Sequence, residues 1–187
     1  MSRTHIKIGF LLAALAAAAL LMSVRWERER DEAVARAVAE LDGQWVGRRA
    51  EPFELAALGG ETHRLRDYRG SVVFLNFWAS FCEPCTREMP SMESLAREYH
   101  GRGLEMLAVS IDPKRADAAG FIDRFLPDQS SAMTVLWDGS AEVSNRYGTE
   151  LIPETYIIDR EGNVVARFVN EYDWTRPAVK RLVEALL

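Results

Sequence analysis

The sequence is poor in cysteine, in histidine and in net positive charge, and each shortage narrows what the chain can do. Only Cys82 and Cys85 are present among 187 residues, so neither has another possible partner. They bridge each other, hold a metal incompletely, or stay reduced. The histidines are His5, His63 and His100, with no His-x3-His spacing, which leaves a four-ligand zinc site two ligands short. Lys and Arg number 23 against 28 Asp and Glu, a net charge of −5, and phosphate binding to a nucleic-acid duplex needs a cationic face. There is no internal repeat and no low-complexity stretch beyond an alanine-rich segment near the start. With 48% hydrophobic and 27% charged residues the bulk is globular, and one long apolar run excludes a polytopic membrane protein.

That run, IGFLLAALAAAALLMSV from Ile8 to Val24, carries no charge. Its length sits at the lower limit for a membrane-spanning helix. Arg3, His5 and Lys7 before it predict that the extreme N-terminus stays in the cytoplasm and the rest is exported, with Trp26 at the far interface. A cleaved signal peptide is the competing reading. Its small-x-small pattern, around Ala16 to Ala19, falls inside the run, and Leu20, Leu21 and Met22 follow where a polar cleavage region belongs. Residues 1–24 are therefore expected to be an uncleaved anchor, 25–46 a helical stalk, and 47–187 the working domain. Ala33, Val34, Ala37, Val38 and Leu41 stand at helical spacing in the stalk.

Beyond Gly47, short apolar runs alternate with turns. VVFLNFW from Val72 to Trp78 is apolar almost throughout, as expected of a strand covered on both faces. A helix from about Thr86 to Tyr99, bent or restarted at Pro90, leads to a second buried strand from Leu104 to Asp112. Further elements are a helix over Ala116 to Phe125, a strand over Met133 to Trp137 and a helix over Ala141 to Tyr147. TYIID and NVVARFV, separated by REGN, form a hairpin, and Thr175 with Pro177 opens a closing helix. The pattern predicts an α/β fold, a mixed central sheet flanked by helices.

Cys82-Glu83-Pro84-Cys85 lies directly after a buried strand and at the opening of a helix. There the unsatisfied backbone N–H groups favour a thiolate at Cys82, the nucleophile, while Cys85 lies one turn deeper and resolves. Pro84 presets φ in the helix's first turn. Glu83 opposes a second negative charge and keeps the couple reducing. The competing readings are a copper(I) site made by two thiolates and a permanent structural disulfide, which across two residues constrains little chain. Downstream, Ile152-Pro153 precedes the strand TYIID. A cis bond there places a loop carbonyl and an apolar side chain beside the cysteines and offers an extended client a strand-like partner; a trans edge proline is the plainer account.

The segments NFWASFCEPCTREMPSM and GTELIPETYIIDREGNVV together resemble the membrane-anchored thioredoxin-like proteins of the TlpA and ResA type, including the cytochrome c maturation thioredoxins. The resemblance covers about Gly47 to Leu187. It implies a thioredoxin-like fold with an inserted strand-helix element and a bacterial thiol-disulfide oxidoreductase on the inner membrane, single-pass, facing the periplasm or outer cell surface. It further implies that Cys82 attacks, that Cys85 resolves and closes a redox-active disulfide with it, and that Pro153 is the cis-proline. Ile152, Pro153, Phe81 and Pro84 are the expected client contacts. Glu88 matches an acidic residue such proteins use near the site. One turn from Cys85, it can exchange a proton with that thiol; the plainer reading is a solvated carboxylate balancing Arg87.

Asn76 stands where ordinary thioredoxins bury an aspartate, and it cannot titrate. Phe81 replaces the family's tryptophan, and Glu154 replaces a threonine after the proline, a carboxylate expected to border the client groove and disfavour acidic clients. Peroxiredoxins share the fold, but Leu75 and Ala79 occupy the positions of their proline and threonine. Copper-binding relatives of the Sco type space their cysteines more widely and need a histidine after His100. The expected partners are exported proteins with disulfides, apocytochrome c among them, and a membrane thiol electron donor, with no metal and no cofactor. A copper(I) carrier, or a thiol oxidant or isomerase, is the alternative.

Overall fold

The computed structural model describes residues 3–125 and 132–187, with side chains of the first helix from Leu12 onward. Helix α1 runs from Arg3 to Glu40 without a break. The strands β1 (Gln44–Arg49), β2 (Glu54–Ala57) and β3 (Thr62–Arg64) follow, then a 3-10 turn over Leu65–Tyr68 and β4 (Val72–Trp78). Next come α2 (Glu83–Tyr99), β5 (Leu104–Ser110), α3 (Arg115–Phe125), β6 (Met133–Trp137) and α4 (Glu142–Tyr147). The chain closes with the hairpin β7 (Glu154–Ile158) and β8 (Asn163–Val169) and helix α5 (Pro177–Leu186).

The eight strands among the described residues join one mixed sheet in the order β1-β8-β7-β4-β5-β6-β2-β3. β4 lies at its centre, parallel to β5 and antiparallel to β7, and every one of its seven residues is buried. Successive side chains of a strand face opposite ways. Val72, Phe74 and Trp78 accordingly enter one core with α2, α5 and the end of α1, while Val73, Leu75 and Phe77 enter the other with Leu107, Val109, Tyr147 and Tyr156. The β7–β8 turn needs Gly162: its φ is +80°, and the guanidinium of Arg69 occupies the space a Cβ would fill.

The expected boundaries at 24 and 46 fall within continuous structure. One helix spans the apolar run and the stretch read as a stalk, and the sheet takes in the chain from Gln44, where β1 pairs with β8. Val34, Ala37, Val38 and Leu41 are buried, and α1 packs against α5, so the helical stripe in the stalk is a docking face. Among the described residues no helix is long and apolar enough to cross a membrane. The side chains of Arg3, His5 and Lys7, and those of the first residues of the run, lie outside the described residues.

Helix α2 begins at Glu83, directly after Cys82, and Pro90 lies inside it without ending it.

Candidate active site

The central strand delivers its C-terminal end to the cysteines. After Trp78 the segment Ala79–Phe81 turns, with the Cys82 amide donating to the Ala79 carbonyl at 3.1 Å. Asp112, just past the parallel neighbour β5, fixes this turn. Its carboxylate accepts from the Ser80 amide at 3.0 and 3.2 Å, from the Ser80 hydroxyl at 2.6 Å and from the Ser110 hydroxyl at 2.7 Å.

Cys82 is the N-cap of α2, and its sulfur accepts from the Cys85 amide at 3.2 Å. The two cysteines form a disulfide. They differ in exposure: Cys82 retains 8% and Cys85 none, so only the first sulfur is open to attack from outside. Pro84 lies in the helix's first turn, where its missing N–H costs nothing. Glu83 is exposed and pairs with Arg87 at 2.8 Å, and Arg87 reaches Glu171 at 2.7 Å.

The Ile152–Pro153 bond is cis, and the Ile152 carbonyl oxygen lies 3.5 Å from the Cys82 sulfur. Phe81 and Leu151, 71% and 62% exposed, flank this point as apolar lips. The expected contacts Phe81, Ile152 and Pro153 therefore converge on Cys82 from two loops distant in sequence.

Glu88 is 3% exposed and makes no ion pair with Arg87, so the reading of it as a solvated counter-charge is overturned. One carboxylate oxygen accepts from the Asn76 side-chain amide at 2.8 Å, and the other from the Tyr172 amide at 3.1 Å and the Trp174 indole N–H at 3.2 Å. Burial pushes its pKa up to about 7, against the pull of those three donors. Asn76 also donates to the Thr155 hydroxyl at 3.0 Å, and its own carbonyl oxygen has no partner among the described residues.

Glu154 corrects a second expectation. It does not border the client groove: it is fully buried on β7, and its carboxylate is held by the Tyr156 hydroxyl at 2.7 Å and by Arg167. The residue after the cis-proline is already a strand residue, paired with Phe77 of β4 and Val169 of β8, and cannot turn outward.

Asp112, Tyr172 and Trp174 were not legible as site residues. Nothing local marks them: Asp112 reaches the site from the end of β5, and Tyr172 and Trp174 from the loop between β8 and α5.

The AhpC/TSA family model matches residues 46–167. The thiol-disulfide oxidoreductase ResA of Geobacillus thermodenitrificans is 41% identical over 119 residues, covering 64% of this chain and 66% of the relative. The ResA of Bacillus thuringiensis strain Al Hakam is 30% identical over 133 residues, covering 71% of this chain and 75% of the relative. Among solved structures, a Chlorobium tepidum protein provisionally named thiol:disulfide interchange protein DsbE superposes with a TM-score of 0.68 at 32% identity, over 75% of this chain and 97% of that one. The match thus spans slightly under two thirds of the Geobacillus relative's length and nearly all of the Chlorobium structure. With Cys82 capping α2 beside a cis-proline loop, the chain belongs to the AhpC/TSA family and is of the ResA type, with a thioredoxin-like fold.

Proposed function

We propose that this chain is a membrane-tethered reductase of disulfides in exported proteins. One observation carries the reading: the sulfur that caps α2 is the accessible one of the pair, and it lies 3.5 Å from a loop carbonyl flanked by apolar side chains. Reduced Cys82 is favoured as a thiolate by the Cys85 amide and the helix start. It attacks a client disulfide, whose S–S bond breaks as a Cys82–client bond forms and one client thiolate leaves. The client chain lies along the Ile152–Pro153 loop, between Phe81 and Leu151. Cys85 then loses its proton and attacks the Cys82 sulfur, which expels the second client thiolate. The client gains two electrons and the pair closes as the disulfide seen here.

Glu88 lies one turn beyond Cys85 on α2 and titrates at about 7, so its carboxylate suits holding the proton that Cys85 gives up. A dithiol donor in the membrane restores the pair. Apocytochrome c, whose haem-attachment cysteines must be reduced, is the client that the family resemblance favours.

The tether is the run Ile8–Val24, continuous with the docked part of α1. Trp26 shares a surface groove with Arg160, Glu161 and Leu187. Ile158, just before Arg160, pairs with Val73 at the start of β4, whereas Glu154 pairs with Phe77 at the end that leads to Cys82. The run therefore leaves the domain at the pole opposite the cysteines, which supports an active site facing away from the bilayer.

Trapping with Cys85→Ser tests the reading. The full-length variant should accumulate a mixed disulfide between Cys82 and an exported protein, released by dithiothreitol. No thiol-linked protein, with Cys82 present and alkylatable, would overturn it.

A further inference from the structure

Buried Tyr156 and Glu154 of β7 and half-buried Arg167 of β8 form a polar group behind the loop that faces Cys82. The Tyr156 hydroxyl touches three places at once: the Glu154 carboxylate at 2.7 Å, the Tyr147 carbonyl at 3.1 Å and the Thr149 hydroxyl at 3.3 Å. Tyr147 ends α4, Thr149 lies within the connection and Glu154 follows the cis-proline. A single oxygen therefore ties the entry, the body and the exit of the segment that presents Leu151, Ile152 and Pro153. Arg167, reaching across from β8, pairs with the Glu154 carboxylate, while the Asn170 amide bonds the Pro153 carbonyl at 3.0 Å.

Burying a carboxylate in a core is costly unless it is paired and bonded, and apolar residues of similar volume would pack this place at least as well. Apolar packing lacks direction. A hydroxyl shared among three partners fixes their separations, and a strand-like client needs a backbone partner held at one distance from the attacked sulfur.

We infer that Glu154, Tyr156 and Arg167 are positioning residues that hold the Leu151–Pro153 loop at the height that lets a client strand lie against it while its disulfide meets Cys82. The inference rests on the reading of that loop as the client's partner. The group serves client binding and leaves the sulfur chemistry of the pair unchanged.

Single-turnover kinetics of the pre-reduced full chain test this with two probes, the Cys82/Cys85 pair itself supplying the two electrons. KM and kcat stand for the half-saturating probe concentration and the limiting rate. One is a peptide closed by an intramolecular Cys-x-x-Cys disulfide, which needs the loop. The other is 5,5′-dithiobis(2-nitrobenzoate), a small disulfide that does not. Tyr156→Phe keeps the ring against Phe77 and Tyr147 and removes the hydroxyl. It should raise the peptide KM roughly five- to tenfold with kcat almost unchanged, the loss of about one hydrogen bond's binding energy. The rate with the small disulfide and the reduction potential should stay at wild-type values. Glu154→Gln should act in the same direction, and Leu151→Asp on the exposed lip should also raise the peptide KM.

An unchanged peptide KM in Tyr156→Phe and Glu154→Gln, with Leu151→Asp still affecting it, would overturn the clamp and leave the loop reading intact. If Leu151→Asp also has no effect, the loop reading falls and the clamp with it. A parallel fall in the small-disulfide rate would show a general disturbance of the site and overturn the clamp as well.

Discussion

The side-chain amide of Asn76 donates to the buried carboxylate of Glu88 at 2.8 Å, while the carbonyl oxygen of the same amide has no partner among the described residues. A half-turn of that amide would bring its oxygen round to accept from a protonated Glu88. Asparagine cannot titrate, but it can serve either charge state of its neighbour. The pair therefore forms a buried proton store one turn from the resolving cysteine.

Stability should record this store. Glu88 keeps its proton up to about 7 when folded and gives it up near 4.5 when unfolded. Between those values the folded state binds more protons, so stability is full below about 4.5 and falls as pH rises through 7, by roughly 3 kcal/mol at most. Glu88→Gln should flatten that part of the profile in urea titrations of the oxidised protein. It should also slow release of the second client thiol in stopped-flow measurements. A slope that survives the substitution would assign the store to another group.

Trp174 gives a second handle on the same carboxyl. Its indole N–H favours the ionised form, and its ring packs edge-on against Phe74 and Phe168. Trp174→Phe preserves an aromatic ring and loses the donor. The Glu88 pKa should move above 7, seen as a shift of the pH-stability profile to higher pH, with a stability loss of about 1–3 kcal/mol. A downward movement would mean that the loop change had opened Glu88 to water.

The sheet was legible because its central strands are apolar throughout and its turns carry strong punctuation. Val72–Trp78 and Met133–Trp137 matched their expected bounds. The cysteine pair and the cis-proline were legible because each combines a local signal with a position after a strand. The surroundings of Glu88 were hidden: its donors come from residues 12, 84 and 86 positions away, and no local pattern encodes such contacts. Glu154 misled for a related reason. A carboxylate is mostly exposed, and only strand pairing on both sides with a half-buried arginine partner makes it a core residue.

Reduction of the protein should separate the two thiols sharply. The Cys82 sulfur accepts an amide at the start of a long helix, whereas Cys85 is sealed from solvent. In the reduced chain Cys82 should titrate below the ordinary thiol range and Cys85 above it, by burial. Alkylation by iodoacetamide followed by peptide mapping should show Cys82 modified in the acidic range and Cys85 protected. Equal labelling of both would remove the assignment of attacking and resolving roles.

Glu83 was expected to hold the couple reducing by its charge, but Arg87 binds it at the surface. Exposed pairs are weak and salt-sensitive. Glu83→Gln should raise the reduction potential and Arg87→Gln should lower it, both slightly, and both shifts should shrink at high salt in glutathione equilibration. A large shift that persists in salt would show the charge acting through a drier path.

Leu41 measures how firmly α1 belongs to the domain. It is fully buried at the end of the helix, its carbonyl accepts from the Tyr172 hydroxyl at 2.9 Å, and Tyr172 supplies one of the amides on Glu88. Leu41→Ala should cost about 2–4 kcal/mol through the cavity it leaves. It should also loosen the Tyr172 segment enough to alter the pH dependence of stability. Removal of residues 1–24, which lie ahead of every buried residue of α1 among those described, should change neither quantity. If that removal proves as damaging as Leu41→Ala in urea unfolding, the helix contributes to folding along its whole length, and the separation between tether and docked segment fails.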